Sequence, residues 1–183
     1  MGEIADRYRK VAGDFTERAK AVPDGAWDNP APCEGWVARD IVGHMVEWMP
    51  AMCLAGPGLE VPAVPSVDDD PVGAWVGISD ALQAALDDPE LAAREFDMRV
   101  GRFTVENAVD TFCTNDVLVH TWDLARATGL DETLDAGEVH RMFEGILPMD
   151  EVLRDSGQFG ARVDVPDDAD EQTKLIAFTG RVP

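Results

Sequence analysis

Positive charge is scarce in this chain. Lysine and arginine number 15 against 36 aspartates and glutamates, a formal net charge of −21. Phosphate binding needs a basic footprint, so this balance speaks against nucleic acid as a partner and against docking on anionic membranes. No apolar run approaches the ~18 residues of a membrane span. The opening MGEIADRYRKVAGDF has no apolar core of a secretory leader. Cysteine occurs only three times, at Cys33, Cys53 and Cys113. An odd, widely spaced set makes no disulfide framework, and free thiols in a reducing compartment are the simplest reading. Gly-rich phosphate loops, Cys-x-x-Cys and Gly-x-Ser-x-Gly are all missing. So are a repeat of fixed period and a set of alternating strands. The expectation is a cytoplasmic protein, a monomer or small homo-oligomer, without membrane or nucleic-acid partners.

What is present fits one globular domain over residues 1–183. Hydrophobic residues make up 45% and charged residues 28% of the chain, and a chain of this length buries about 70% of its unfolded surface. Ile4, Tyr8, Val11, Phe15, Ala19 and Val22 recur at three- and four-residue steps, which predicts a helix over 3–22, ended by Pro23, Asp24 and Gly25. A second helix is expected over 37–55, with Val37, Ile41, His44, Met45, Trp48, Met49 and Met52 as its stripe and a kink or an end at Pro50. The Pro/Gly-rich, acidic stretch 56–71 reads as a crossover or a functional loop, so that helices two and three need not be hairpin neighbours. A third helix is expected over 72–87, weakened by Gly73 and Gly77. A fourth, over 104–128, has Thr104 as N-cap and Gly129 just past its end. Shorter helices are expected around 136–147 and 168–178, with an extended piece at 161–165. The sum is an all-α four-helix bundle with a long crossover connection and a short accessory C-terminal segment.

Only three histidines occur. His44 lies on the stripe of the second helix. Asp116 and His120 are four residues apart on the fourth, about 40° apart around its axis and on one face, in line with Ala108, Val109 and Phe112. A buried carboxylate and a buried imidazole are costly unless paired or metal-bound. Two readings fit these residues alone. One is a catalytic divalent metal held by His44, Asp116 and His120, an open three-ligand set that suits zinc or non-haem iron. The other is a buried Asp–His pair beside a core histidine. Acids are so common here that Asp40 also precedes His44 by four; it reads as a first-turn residue favoured by the helix dipole. Asp123, three after His120, is either a carboxylate that orients that imidazole or an exposed acid near the helix end. Trp36 and Trp48 are pocket walls or plain core. Cys113 reads as packed core before it reads as channel lining, and Met45, Met49 and Met52 as core filler. His140 reads as a surface histidine. Arg39, Arg102, Arg126 and Arg141 are candidates for an anionic ligand.

Three segments resemble a known family. Pro32-Cys33-Glu34-Gly35-Trp36 followed by Val37-Ala38-Arg39-Asp40-Ile41-Val42-Gly43-His44 resembles the first motif of the mycothiol-dependent maleylpyruvate isomerase-like proteins, within the wider DinB-like bundle superfamily. Asn115-Asp116-Val117-Leu118-Val119-His120-Thr121-Trp122-Asp123-Leu124-Ala125-Arg126-Ala127-Thr128-Gly129 looks like the second motif, and Phe178-Thr179-Gly180-Arg181-Val182-Pro183 is similar to the ending of one subgroup. The resemblance implies a four-helix bundle, a divalent metal usually taken as zinc on His44, Asp116 and His120, and mycothiol as cosubstrate. In such enzymes the metal holds the thiol as thiolate and presents a nucleophile. Two departures stand out. The isomerase has Glu where this chain has Asp116, one methylene shorter. It also has a further C-terminal domain contributing a catalytic arginine, for which too little chain follows here, so maleylpyruvate isomerisation is not expected to carry over. The leading expectation is thiol transfer or addition to a small electrophile. The alternatives are a hydrolase using metal-bound water and a non-catalytic metal-binding or stress-response module.

Overall fold

The computed structural model describes residues 2–155, 157 and 159–183. Its helices are α1 (Glu3–Ala21), α2 (Ala38–Pro50), α3 (Pro71–Asp87) and the single turn α4 (Pro89–Ala92), followed by a hairpin of β1 (Glu95–Met98) and β2 (Gly101–Thr104). The chain continues through α5 (Val105–Ala108), α6 (Thr114–Thr128), α7 (Ala136–Ile146), α8 (Asp150–Asp155) and α9 (Glu171–Phe178). The fold is a mostly helical bundle, as the periodicity predicts, and consistent with the DinB-like bundle that the resemblance implies.

Four helices form the bundle, and the polar contacts between them set their directions. Arg9 and Gln83 tie the start of α1 to the end of α3, while Trp75 Nε1 donates to Thr16 Oγ1 further along, so α1 and α3 run antiparallel. Arg7 reaches Asp110 and Asn115, and Arg18 reaches Asp131 and Thr133, so α1 and α6 run parallel. Asn29, just before α2, meets Ala127, whereas Cys53, just after it, meets Cys113, so α2 and α6 are antiparallel. It follows that α2 and α3, which pack on each other, are parallel neighbours. Parallel neighbours cannot be joined by a tight turn, and residues 56–70 return the chain along the length of the bundle.

That return path explains the glycines of α3. A Cβ on Gly77 would sit 2.6 Å from Val64 Cγ1, so the bare helix surface there seats the crossover. Gly73 donates its N–H to the N-cap carboxylate of Asp70. The core is continuous around Tyr8, Phe15, Ile41, Met45, Met49, Trp75, Ile78, Leu82 and Leu124, all 0–1% exposed.

Two features depart from the regular helices expected. Pro50 does end α2, because it has no N–H to donate back one turn, but the chain winds on as a π-helical turn over Ala51–Ala55. A second π-turn, Val109–Cys113, separates α5 from α6. Each π-turn inserts a residue into the helical phase, so Cys113 faces the core while Phe112 is half-buried against Phe103 of β2. Thr104 caps α5 through Asn107 N–H, and Gly129 ends α6 at φ 73°. The hairpin is a strand pair with Phe96 opposite Phe103. The segment expected to be extended, 161–165, forms no strand and is tied to α9 by the bond from Val163 N–H to the Ala177 carbonyl.

Candidate metal centre

The site is assembled by α2, α6 and the loop between α1 and α2. A bridge between Pro30 and Val37 closes that loop: Ala31 N–H donates to the Trp36 carbonyl and Ala38 N–H to that of Asn29. Asp40 then accepts from Val37 N–H at 2.8 Å, which fixes the entry to α2 and is a first-turn structural role. His44 follows one turn later. It stands at the border of the α2 stripe rather than in its middle: Ile41, Met45 and Met49 are fully buried, whereas His44, Trp48 and Met52 are only partly so.

His44, Asp116 and His120 each present one ligand atom within 4.8 Å of the other two. Asp116 lies between the imidazoles, with Oδ2 3.4 Å from His44 Nε2 and Oδ1 3.5 Å from His120 Nε2. Trp48 Nε1 donates to Oδ2 at 3.2 Å, leaving Oδ1 the freer oxygen. The shorter aspartate therefore spans the gap between the helices without an extra methylene. The ring planes of Trp36 and His120 are stacked at 20° with centroids 6.0 Å apart, and Trp36 also meets His44 at 5.2 Å. The group opens to solvent through the side chains of His44 and Asp116, 36% and 30% exposed, while that of His120 is 5% exposed.

Behind His120 lie two further charged side chains, Asp123 and Arg181. Its Nδ1 is 2.8 Å from Asp123 Oδ2, and Asp123 is wholly buried, not the exposed helix-end acid that was the other reading. With Asp123 as acceptor, Nδ1 carries a hydrogen, and Nε2 is the nitrogen turned to Asp116's side. Arg181 grips Asp123 from the other side through Nε and Nη2, at 2.6 and 2.7 Å.

The charges set the ionisation of the group. Burial alone would raise the pKa of Asp116, but His120, His44 and the Trp48 donor outweigh it and hold the carboxyl below its ordinary value. Asp123 is likewise pushed up by burial and brought below its ordinary value by His120 and Arg181. Burial disfavours a charged His120, yet Asp116 and Asp123 raise its pKa. The Cys33 thiol is pushed up to about 11 by burial and by Asp123.

Cys33, His120 and Asp123 form a second group with ligand atoms within 4.8 Å. That space is already filled by a cation, because Arg181 also donates Nη2 to Cys33 Sγ at 3.4 Å. Among the described residues, no lysine or arginine pairs with Asp116 of the His44–Asp116–His120 group. Its donor set, two nitrogens and a carboxylate oxygen with a face left open, fits a catalytic divalent metal.

The other candidates lie elsewhere. His140 is exposed and pairs with Glu171 at 3.0 Å. Cys113 is buried, its sulfur 3.5 Å from Cys53. Arg39 pairs with Asp28 and Asp68, Arg102 with Glu95, Arg126 with Glu132 and Arg141 with Glu3. None of these four borders the candidate centre. The 56–71 segment, read as a crossover or a functional loop, packs on α3 through Val64 and on the start of α2 through Asp68. Two concavities of the surface, beside Asp87–Glu90 and between α1 and α3, lie away from it too. Arg181 and Cys33 are the residues that the sequence reading did not assign to the site. Both stand inside motif segments, but no spacing rule links positions 33, 123 and 181.

No helix among the described residues is long and apolar enough to cross a membrane. Comparison with curated proteins and with solved structures finds no match. The family model described as mycothiol maleylpyruvate isomerase N-terminal domain matches residues 8–125, more than half of the chain and a span that contains His44, Asp116, His120 and Asp123. The chain therefore belongs to the mycothiol maleylpyruvate isomerase N-terminal domain family.

Proposed function

We propose that the protein holds a divalent metal, zinc by preference, on His44, Asp116 and His120, and uses it to transfer or add the thiol mycothiol to a small electrophile. The observation that carries this reading is the convergence of three ligand atoms from two helices around a face that remains open. Family membership supports the thiol. Bound there, the metal supplies a Lewis acid that lowers the pKa of a thiol at its free position.

The chain's own residues supply the rest. Asp123 holds His120 with Nδ1 protonated and Nε2 presented to the metal. Trp48 fixes one oxygen of Asp116 and so directs the other. The indoles of Trp36 and Trp48 flank the imidazoles and shed water from one side of the site, which strengthens the electrostatics within it. The partners on this reading are a low-molecular-weight thiol and a small electrophile, met in the cytoplasm.

The test is elemental analysis of purified protein, followed by turnover of a panel of small electrophiles with and without mycothiol. One equivalent of zinc and thiol-dependent conjugation are expected. Turnover that needs no thiol would overturn the transferase reading in favour of hydrolysis. Full zinc content in a His44→Ala, His120→Ala double variant would overturn the site.

A further inference from the structure

Asp123 could have been held by α6 alone, but its second partner comes from the other end of the chain. Arg181 stands 58 residues later, beyond α9, and its fork takes both oxygens of the carboxylate. Bidentate pairing fixes the plane of a carboxylate as a single donor cannot. The oxygen so fixed, Oδ2, is the one that faces His120 Nδ1 at 2.8 Å.

The chain around Arg181 is shaped to deliver it. Thr179 is 2% exposed and bonds back to the Ile176 carbonyl through Oγ1. Gly180 N–H donates to the Ala177 carbonyl and Arg181 N–H to that of Ile176, which turns the chain sharply off α9. The turn runs through Gly180 at φ 92°, a left-handed value that glycine adopts without the Cβ clash. Its bare surface lies on Gly160, and a Cβ there would come 2.8 Å from Gly160 Cα. The guanidinium side chain ends 12% exposed against a carboxylate that is wholly buried. A surface ion pair needs none of this.

We infer that Arg181 is a positioning residue for the metal centre: by clamping Asp123 it fixes the ring of His120, and so aims the Nε2 ligand across the gap toward Asp116 and His44. The inference rests on the metal reading above. It makes the C-terminal turn, outside the 8–125 span of the family match, a working part of the site.

A double-mutant cycle on the full chain tests it, with cobalt(II) as the probe, because its visible absorption reports ligand geometry. Arg181→Gln and Asp123→Asn should each weaken cobalt binding about 10–100-fold, the scale of losing a group that orients a ligand, and each should change the absorption bands. If Arg181 acts through Asp123, the double variant loses no more than Asp123→Asn alone, whereas independent structural losses would multiply. Arg181→Lys should restore only part of the affinity, since an ammonium cannot fork. Gly180→Ala gives an independent route, displacing the arginine without removing it, and should weaken cobalt binding too. Wild-type affinity and bands in Arg181→Gln, or losses that multiply, would overturn the inference. If the wild type binds neither cobalt nor zinc, the metal reading fails by itself. The inference is then judged on the metal-free protein by nitrogen-15 NMR: one His120 tautomer with Nδ1 protonated in the wild type, and a mixture in Arg181→Gln. An unchanged tautomer would sink it.

Discussion

Replacing His120 by alanine separates the metal centre from the fold. The side chain is 5% exposed and makes one charge-assisted hydrogen bond, to Asp123, worth about 1.5–3 kcal/mol. Its loss leaves no orphaned charge, since Asp123 keeps Arg181 and Asp116 keeps His44 and Trp48. With the void left beside Trp36 the cost is about 2–4 kcal/mol, within the 5–15 kcal/mol that holds a typical domain. The variant is expected to fold. Metal binding should suffer far more, because losing one of three protein ligands exceeds the 10–100-fold of losing a group that only orients one. The assay is thermal unfolding with and without zinc. At zinc 100-fold above Kd, binding stabilises the wild type by about 2.7 kcal/mol. For a chain of this length that is a rise in Tm of about 5–11 °C. His120→Ala should show a lower starting Tm and no rise. The same zinc-dependent rise in the variant would refute the assignment of His120 as a ligand.

Three further outcomes follow from the same geometry. Arg7 is 7% exposed and bonds to Glu138, Asp110 and Asn115, so Arg7→Ala should cost about 3 kcal/mol by breaking a buried pair; urea unfolding checks it, and a loss below about 1 kcal/mol would contradict the network. Cys33, with a thiol pushed up to about 11, should react with iodoacetamide at a rate still rising above about pH 10, where an ordinary thiol of pKa about 8.5 has reached its plateau, while buried Cys53 and Cys113 label only on unfolding; mass spectrometry of labelled peptides decides. The stability that His120 adds to the metal-free protein, with its raised pKa, is fully present below the unfolded imidazole value and lost as pH rises through the folded one; Asp116 and Asp123, held low, add stability above the unfolded carboxylate value that is lost as pH falls through theirs. The metal-free Tm contributed by this cluster should therefore peak between the two ranges, and the zinc-induced rise in Tm should grow with pH as the His120 proton ceases to compete; a zinc-induced rise that shrinks from pH 6 to 8 would contradict this.

The local rules of the helix made much of this protein legible before folding. Three- and four-residue spacing located the bundle helices, Thr104 and Gly129 marked the ends of the fourth, and a separation of four put Asp116 and His120 on one face. Each of these follows from hydrogen bonds that close within a turn, so neighbouring residues suffice to specify them. What depended on contacts between distant segments was not legible. The hairpin has a single apolar pair across its strands, Phe96 and Phe103, too little alternation to read. The π-turns shift the helical phase by one residue, and a steady 100° per residue then puts Phe112 where the fold puts Cys113. The antiparallel packing of α2 on α6, which brings His44 opposite Asp116, arises from packing the bundle as a whole. Arg181 reaches Asp123 only because α9 docks and Gly180 turns beside Gly160. A ligand pair on one helix is a matter of local geometry; the third ligand and the clamp behind it belong to the tertiary structure, because only the packed core sets distances between residues this far apart in the chain.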